Sequence, residues 1–304
     1  MLEMTSTAPA AVCAIRSGRP CEFGPPEVHP DRSARVGSVS IIRCLHCGIG
    51  ISTPPLTDVA FLYDGRESQD FQPLSTGLAR MVKTIAFTHE ARRLLRQIDR
   101  IPIRVLDFGC GSGLFTRCLG DLLPEGIVTG SDFHTDPPAE LKLKNRAYLS
   151  NETLLRDAGR FDLIIAMHVI EHDDDPMELL HKLRSLGSED CTFVFEVPNV
   201  DCIWAHVFRK SWDAWYLPFH RIHFSRPSLR SILSRAGFEV IREVDVSIPS
   251  MGRSFANLLG KRNTLPFLLA GATLHPIQWG VECISRRPSA LRVIARSQGK
   301  PPVG

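Results

Sequence analysis

Nine residues, Val105-Leu106-Asp107-Phe108-Gly109-Cys110-Gly111-Ser112-Gly113, constrain the fold more than any others in the chain. They run from an apolar strand, through three alternating glycines, into a helical segment that opens at Leu114. Glycine enters left-handed backbone without a Cβ penalty, so this spacing predicts a sharp strand-to-helix turn that a ligand can approach closely. The helix behind such a turn offers unpaired N–H groups to a polar ligand. Open α/β sheets bind ligands in this kind of crevice, at the carboxyl ends of their strands.

The rest of the chain agrees with that sheet. Apolar strand patterns fall at Ile103–Phe108, Ile127–Asp132, Ala147–Leu149, Phe161–Met167, Cys191–Val197, Phe238–Val246 and Leu291–Ala295. Helical patterns lie between them at Leu114–Leu123, after Asp175 and after Ser225. Asp175, Pro176 and Glu178 spell a capping box, with Gly187 expected as the stop. Strands alternating with helices predict a mostly parallel sheet covered on both faces. Ahead of this core, 102–304, residues 1–55 read as a loop-rich head and 56–101 as a helical lead-in, with Ile85, Ala91, Leu94, Leu95 and Ile98 at helical spacing. Residues 251–288 read as a helical insertion between the last two strands.

The crevice favours one cofactor chemistry over another. A dinucleotide turn requires glycine at position 114, which is Leu here, and gives Asp107 no task. A ligand with an amino-acid end needs a carboxylate there to meet its ammonium. In Asp107, Gly109, Cys110, Gly111 and Gly113 the sequence resembles the class I S-adenosylmethionine-dependent methyltransferases. Asp132 closes the second strand, where a carboxylate can accept ribose hydroxyls. Phe161–His172, with Asp175-Pro176 behind it, resembles the fourth-strand motif of the same family, which implies that Met167 and His168 lie along the cofactor. Ser150, Asn151 and Glu152 are the candidates beside adenine. The resemblance runs from about Tyr63 to Ala295 and includes Glu196-Val197-Pro198-Asn199 and Pro218–Ser225. It implies a Rossmann-like α/β fold: a seven-stranded, mostly parallel sheet whose last strand is antiparallel. The subgroup it resembles is bacterial and acts on sugars, lipids and secondary metabolites.

Methyl transfer is an in-line displacement at an activated sulfonium, so positioning contributes most. A base is needed only where the acceptor must lose a proton. His172 and His220 are the leading candidates, with His168 and His223 behind them. Trp204, Trp212, Trp215 and Tyr216 either line an acceptor pocket or pack in the core.

Cys44 and Cys47 form a CxxC knuckle able to hold structural zinc, with Cys13 and Cys21 as irregularly spaced partners and His29 as a substitute. The formal net charge of +3 argues against nucleic acid as partner and leaves a small-molecule acceptor, in an intracellular, cytoplasmic setting. The rival readings are an RNA or protein methyltransferase and a non-catalytic cofactor-binding module. No stretch has the apolar length of a transmembrane span, and the N-terminus lacks the pattern of a secretory signal. Residues 251–288 combine leucines with flanking Arg and Lys; they read as a packed cover or as a surface for a greasy acceptor or a peripheral membrane contact.

Overall fold

A computed structural model of the chain describes residues 13, 21–30, 38–54, 77–141, 146–157, 160–261 and 264–298. The remainder of the head, residues 56–76 of the 56–101 lead-in and Arg262 lie outside the described residues. The head, expected to be loop-rich, contains three strands: β1 (Glu27–Pro30), β2 (Ser38–Arg43) and β3 (Gly50–Thr53). Helix α1 (Gly77–Leu95) then leads into the core. Ala91 and Leu94 bury completely on its inner face, but Ile85 points outward, 62% exposed.

The core alternates as the sequence predicts. Strand β4 (Arg104–Phe108) precedes α2 (Leu114–Leu122), and β5 (Ile127–Asp132) and β6 (Ala147–Ser150) precede α3 (Asn151–Asp157). Strand β7 (Phe161–Met167) leads through a short 3-10 turn, Ile170–His172, to α4 (Pro176–Leu186). Then follow β8 (Gly187–Pro198), α5 (Ile203–Phe208), β9 (Ile222–His223), α6 (Arg226–Arg235) and β10 (Phe238–Val246). Helices α7 (Met251–Leu258) and α8 (Leu265–Ser285) lie between β10 and β11 (Ala290–Ser297).

Seven strands make one sheet in the order β10-β11-β8-β7-β4-β5-β6. Only β11 runs against the others, and it is threaded between β10 and β8. Leu106, Ile164, Phe193 and Phe195 are fully buried in the main core cluster. Each such side chain contributes about 1.5–3 kcal/mol on leaving water. A second cluster joins α1 and α2 to the other face through Ala91, Leu94, Leu119, Leu163 and Ile165.

Two local signals resolve differently. Asp175 caps α4 by accepting from the Glu178 N–H at 3.0 Å. Gly187 follows the helix but is extended, with φ −75° and ψ 149°, so it is not a left-handed stop. Its smallness serves packing, since a Cβ there meets Phe193 Cζ at 2.7 Å and Cys191 Cβ at 2.8 Å.

The head strands are completed from the core. The order β1-β2-β3-β9 makes a four-stranded antiparallel sheet in which Gly50 pairs with His223 and Ile51 with Ile222. Gly50 is required by that pairing, because a Cβ there lies 2.9 Å from His223 Cβ.

Candidate active site

The three motif glycines do different work. All have positive φ: +75° at Gly109, +53° at Gly111 and +74° at Gly113. A Cβ on Gly109 strikes Val169 Cγ2 at 2.5 Å, and one on Gly113 strikes Leu141 Cγ at 2.7 Å. Both glycines are demanded by protein packing. A Cβ on Gly111 meets nothing within 4 Å. Gly111 therefore borders open space, the room a bound ligand needs.

Two carboxylates frame that space. Asp107 is buried at the end of β4 and accepts the Thr116 hydroxyl at 2.5 Å. Burial pushes its pKa up to about 7, with the Asp132 charge adding to the effect and the Thr116 bond opposing it. Among the described residues no cation offsets that burial. Asp132 accepts the Gly111 N–H and the Phe133 N–H, both at 2.8 Å, and so holds the glycine turn in shape. Cys110 sits between them with its thiol raised by burial and by both carboxylates, an inert packing residue. Among the adenine candidates, Ser150 is buried and bonded to Thr153, Asn151 accepts the Ser131 hydroxyl, and Glu152 is exposed.

Beyond β7 the chain adopts a strained step at His168, φ +56°. Its imidazole lies between two buried carboxylates, Nδ1 at 3.2 Å from Glu171 and Nε2 at 3.1 Å from Glu196. Desolvation works against its charge, but the bonds to Glu171 and Glu196 outweigh it and hold the pKa at about 10. His168 is thus a fixed imidazolium and no base at neutral pH. Glu196 also faces Arg292, whose Nε donates at 2.8 Å; burial opposes ionisation there, yet His168 and Arg292 hold the pKa at about 2. Arg292 reaches on to Gln97 and Glu90 on and beside α1. This network escaped the sequence reading: Glu90, Gln97 and Arg292 sit far apart along the chain, and a charged residue in a central strand is not marked by any local pattern.

The two leading histidines come together. Their ring centroids are 4.7 Å apart, edge to face. His172 Nδ1 donates to the Phe219 carbonyl at 3.1 Å, and His220 Nδ1 to the Ala214 carbonyl at 2.9 Å. Carbonyls only accept, so each Nδ1 carries a proton, and in the neutral form of either ring the lone pair is on Nε2. Burial, with the neighbouring His172 and His223 charges, drives the His220 pKa well below the usual histidine value. Glu171 lies beneath, its Oε1 at 3.9 Å from His220 Nε2 and its buried Oε2 without a hydrogen-bond partner among the described residues. His223 belongs elsewhere: its Nε2 bonds the Ser52 hydroxyl at 2.9 Å, inside the small sheet.

Of the aromatic group, Trp204, Trp212 and Trp215 are core, packed with Val39, Ile41 and Phe208. Tyr216 alone is presented at the surface, 5.2 Å from the His220 ring and stacked on Phe219 at 4.9 Å.

The head brings three of the four cysteines together. Cys13 Sγ lies 3.5 Å from Cys47 Sγ, and the thiols of Cys13, Cys44 and Cys47 all fall within 4.8 Å of one another. Cys21 stands beside Cys13 and Cys44, and burial with these neighbours pushes its thiol up to about 12. Burial opposes the Cys44 thiolate, but N–H groups of Cys47 and His46 aimed at its sulfur lower its pKa to about 7. His29 stands apart, against Trp215 and Glu27.

Residues 80–243, over half of the chain, match a family model described as a methyltransferase domain. The tRNA U34 carboxymethyltransferase of Ectopseudomonas mendocina is 28% identical over 194 residues, covering 59% of this chain and 58% of that protein. The ubiquinone biosynthesis O-methyltransferase of Azorhizobium caulinodans is 35% identical over 113 residues, 34% of this chain and 42% of that protein. The chain thus spans about half the length of these curated relatives. Among solved structures, the 1,6-didemethyltoxoflavin-N1-methyltransferase of Burkholderia thailandensis, bound to its substrate and S-adenosylhomocysteine, aligns with a TM-score of 0.51. It shares 17% identity over 91% of this chain and all of that one, a likeness of fold.

Proposed function

The chain belongs to the methyltransferase-domain family, and from that premise we propose that it moves the methyl group of S-adenosylmethionine to an O, N or C atom of a small-molecule acceptor, a sugar, lipid or secondary metabolite. The observation that carries this reading is the open space over Gly111, framed by Asp107 and Asp132 and followed along the strand ends by the His172–His220 pair.

When bound, S-adenosylmethionine supplies a sulfonium methyl that needs no further activation. Asp107 pairs with the ammonium end, and Gly111 gives it close approach. Asp132 holds the turn and offers its carboxylate edge to the ribose. Met167 and the His168 imidazolium form the adjacent wall, braced by Glu171, Glu196 and Arg292. The acceptor enters beside Tyr216. Where it must lose a proton, His172 or His220 takes it on Nε2, and the buried Glu171 carboxylate stabilises the imidazolium that forms.

In the head we propose one structural zinc on Cys13, Cys21, Cys44 and Cys47. A Zn–S bond of about 2.3 Å in a tetrahedron places sulfurs roughly 3.8 Å apart. The Cys13, Cys44 and Cys47 thiols, within 4.8 Å of one another, support three of these positions, and Cys21, beside Cys13 and Cys44, is the proposed fourth in place of His29.

The direct test incubates the purified protein with methyl-labelled S-adenosylmethionine and a fractionated small-molecule extract. Label in a small molecule supports the reading. Label confined to RNA or protein reassigns the acceptor, and tight cofactor binding with no labelled product in any fraction returns the chain to a binding module.

A further inference from the structure

Helix α8 is inside out. Its inward stripe is Gly271, His275, Gln278 and Glu282, spaced four, three and four residues apart along one helical face. These residues are buried or half-buried, and the polar ones are bonded. His275 Nε2 meets the Ser247 carbonyl at 3.3 Å, and Gln278 Nε2 donates to the Ile248 carbonyl at 2.6 Å. Glu282 accepts from Trp204 and Gln278, each at 2.7 Å, and from the Ser289 N–H at 3.2 Å. The helix rests directly on α7, where a Cβ on Gly252 would strike the Phe267 carbonyl.

The outward face is apolar. Leu268, Leu269, Ile277, Trp279 and Ile284 are all at least half exposed, Ile284 at 88%. Leu258 and Leu259, at the end of α7, extend the patch. A surface helix of a water-soluble fold turns its apolar side inward, so this arrangement calls for an apolar contact outside the chain. No helix among the described residues is long and apolar enough to cross a membrane.

Charge identifies the contact. From Val246 to the C-terminus the sequence contains a single acidic residue, Glu282, and it is buried. Exposed Lys261 precedes the helix, and exposed Arg286 and Arg287 follow it. A second copy of this chain packed antiparallel on the same face would set Lys261 of one helix against Arg286 and Arg287 of the other, like charge on like charge. An anionic lipid surface pairs with both ends at once.

We propose that the α7–α8 hairpin docks on anionic lipid bilayers, with α8 lying in the interface plane. Apolar side chains enter the acyl boundary, Trp279 settles at headgroup level, and the terminal Lys and Arg meet lipid phosphates. The proposal does not depend on methyl transfer.

Trp279 supplies the probe, because Trp204, Trp212 and Trp215 are already buried. Full-length protein is mixed with phosphatidylcholine vesicles containing none or 30% phosphatidylglycerol, and sedimentation and tryptophan emission are recorded. The expected result is at least tenfold stronger partitioning onto the anionic vesicles, a blue shift in emission, and loss of both at high salt. A Leu268→Glu/Ile277→Glu variant should lose partitioning while keeping its Tm and its affinity for S-adenosylhomocysteine. Equal binding to both vesicle types overturns the proposal, as does no binding to either. A blue shift in lipid-free buffer that tracks dimerisation in sedimentation velocity gives the face to a second copy and also overturns it.

Discussion

Substituting Gly109 and Gly111 by alanine should separate protein packing from ligand contact within one turn. Both residues have positive φ, which costs an L-residue about 1–2 kcal/mol. At Gly111 that is the whole stability effect, because the new Cβ has nothing within 4 Å. For a protein of this size, roughly 2–4 °C of Tm is lost per kcal/mol, so Gly111→Ala should melt about 2–8 °C lower. At Gly109 the Cβ lands 2.5 Å from Val169 Cγ2, on a β-branched side chain with little freedom to yield. Overpacking of that kind adds about 1–3 kcal/mol, so Gly109→Ala should be the less stable variant. Affinity should rank the other way. Gly111→Ala fills the space reserved for the cofactor and should weaken S-adenosylhomocysteine at least tenfold, about 1.4 kcal/mol or more, with Gly111→Val abolishing binding. Differential scanning fluorimetry and calorimetry on the three variants read both quantities. Wild-type affinity in Gly111→Ala would refute the assignment of that space to the ligand.

Asp107 should make cofactor binding proton-coupled. Its pKa is raised from 3.8 to about 7, so between those values the folded apo chain holds a proton that the unfolded chain has lost. Apo stability should therefore fall as pH rises through that window, with the loss complete above about 7. An ammonium ligand expels the proton, so titrations at pH 6 in buffers of different ionisation enthalpy should report close to one proton released per ligand, and none in Asp107→Asn; buffer-independent heats in the wild type would contradict this. Single His172→Ala and His220→Gln variants should show kcat reduced about 10²-fold or more in the one that removes the base, with S-adenosylhomocysteine affinity nearly unchanged. Full kcat and an unchanged pH profile in both would leave proximity as the whole of catalysis. Purified protein should carry about one zinc by elemental analysis, lost in Cys44→Ser/Cys47→Ser; an unchanged metal content would remove these cysteines from the account.

The sequence made the sheet legible because its central strands are buried on both faces and so read as unbroken apolar runs, as Phe161–Met167 does. The glycine turn and Asp132 were legible for the same local reason: each motif is contiguous. Pairing across distance was not. Nothing in Ile222-His223 announces that it completes the head sheet, and nothing in Arg292 announces that it neutralises Glu196 on the neighbouring strand. The bond of His172 to the Phe219 carbonyl likewise depends on a turn 47 residues away. The tryptophans left two readings open, since aromatic residues near a site satisfy a pocket and a core equally well by composition, and the core holds them. Helix α8 shows a periodicity of buried and exposed residues, but with the polar side inward, which an apolar count alone does not reveal.

The pairing of β9 with β3 has a practical corollary for anyone who trims the chain. The recognisable family segment ends at residue 243, yet β11, which begins at Ala290, fills the place between β10 and β8. Excision at that limit strands Glu196 without Arg292. At the other end, removing the head takes away the Ser52 and Pro54 carbonyls that receive the fully buried Arg221 guanidinium, one residue from His220. The stretch that matches the family model and the stretch in which these buried charges are satisfied therefore have different borders, and a fragment cut at the first should melt below the longer one.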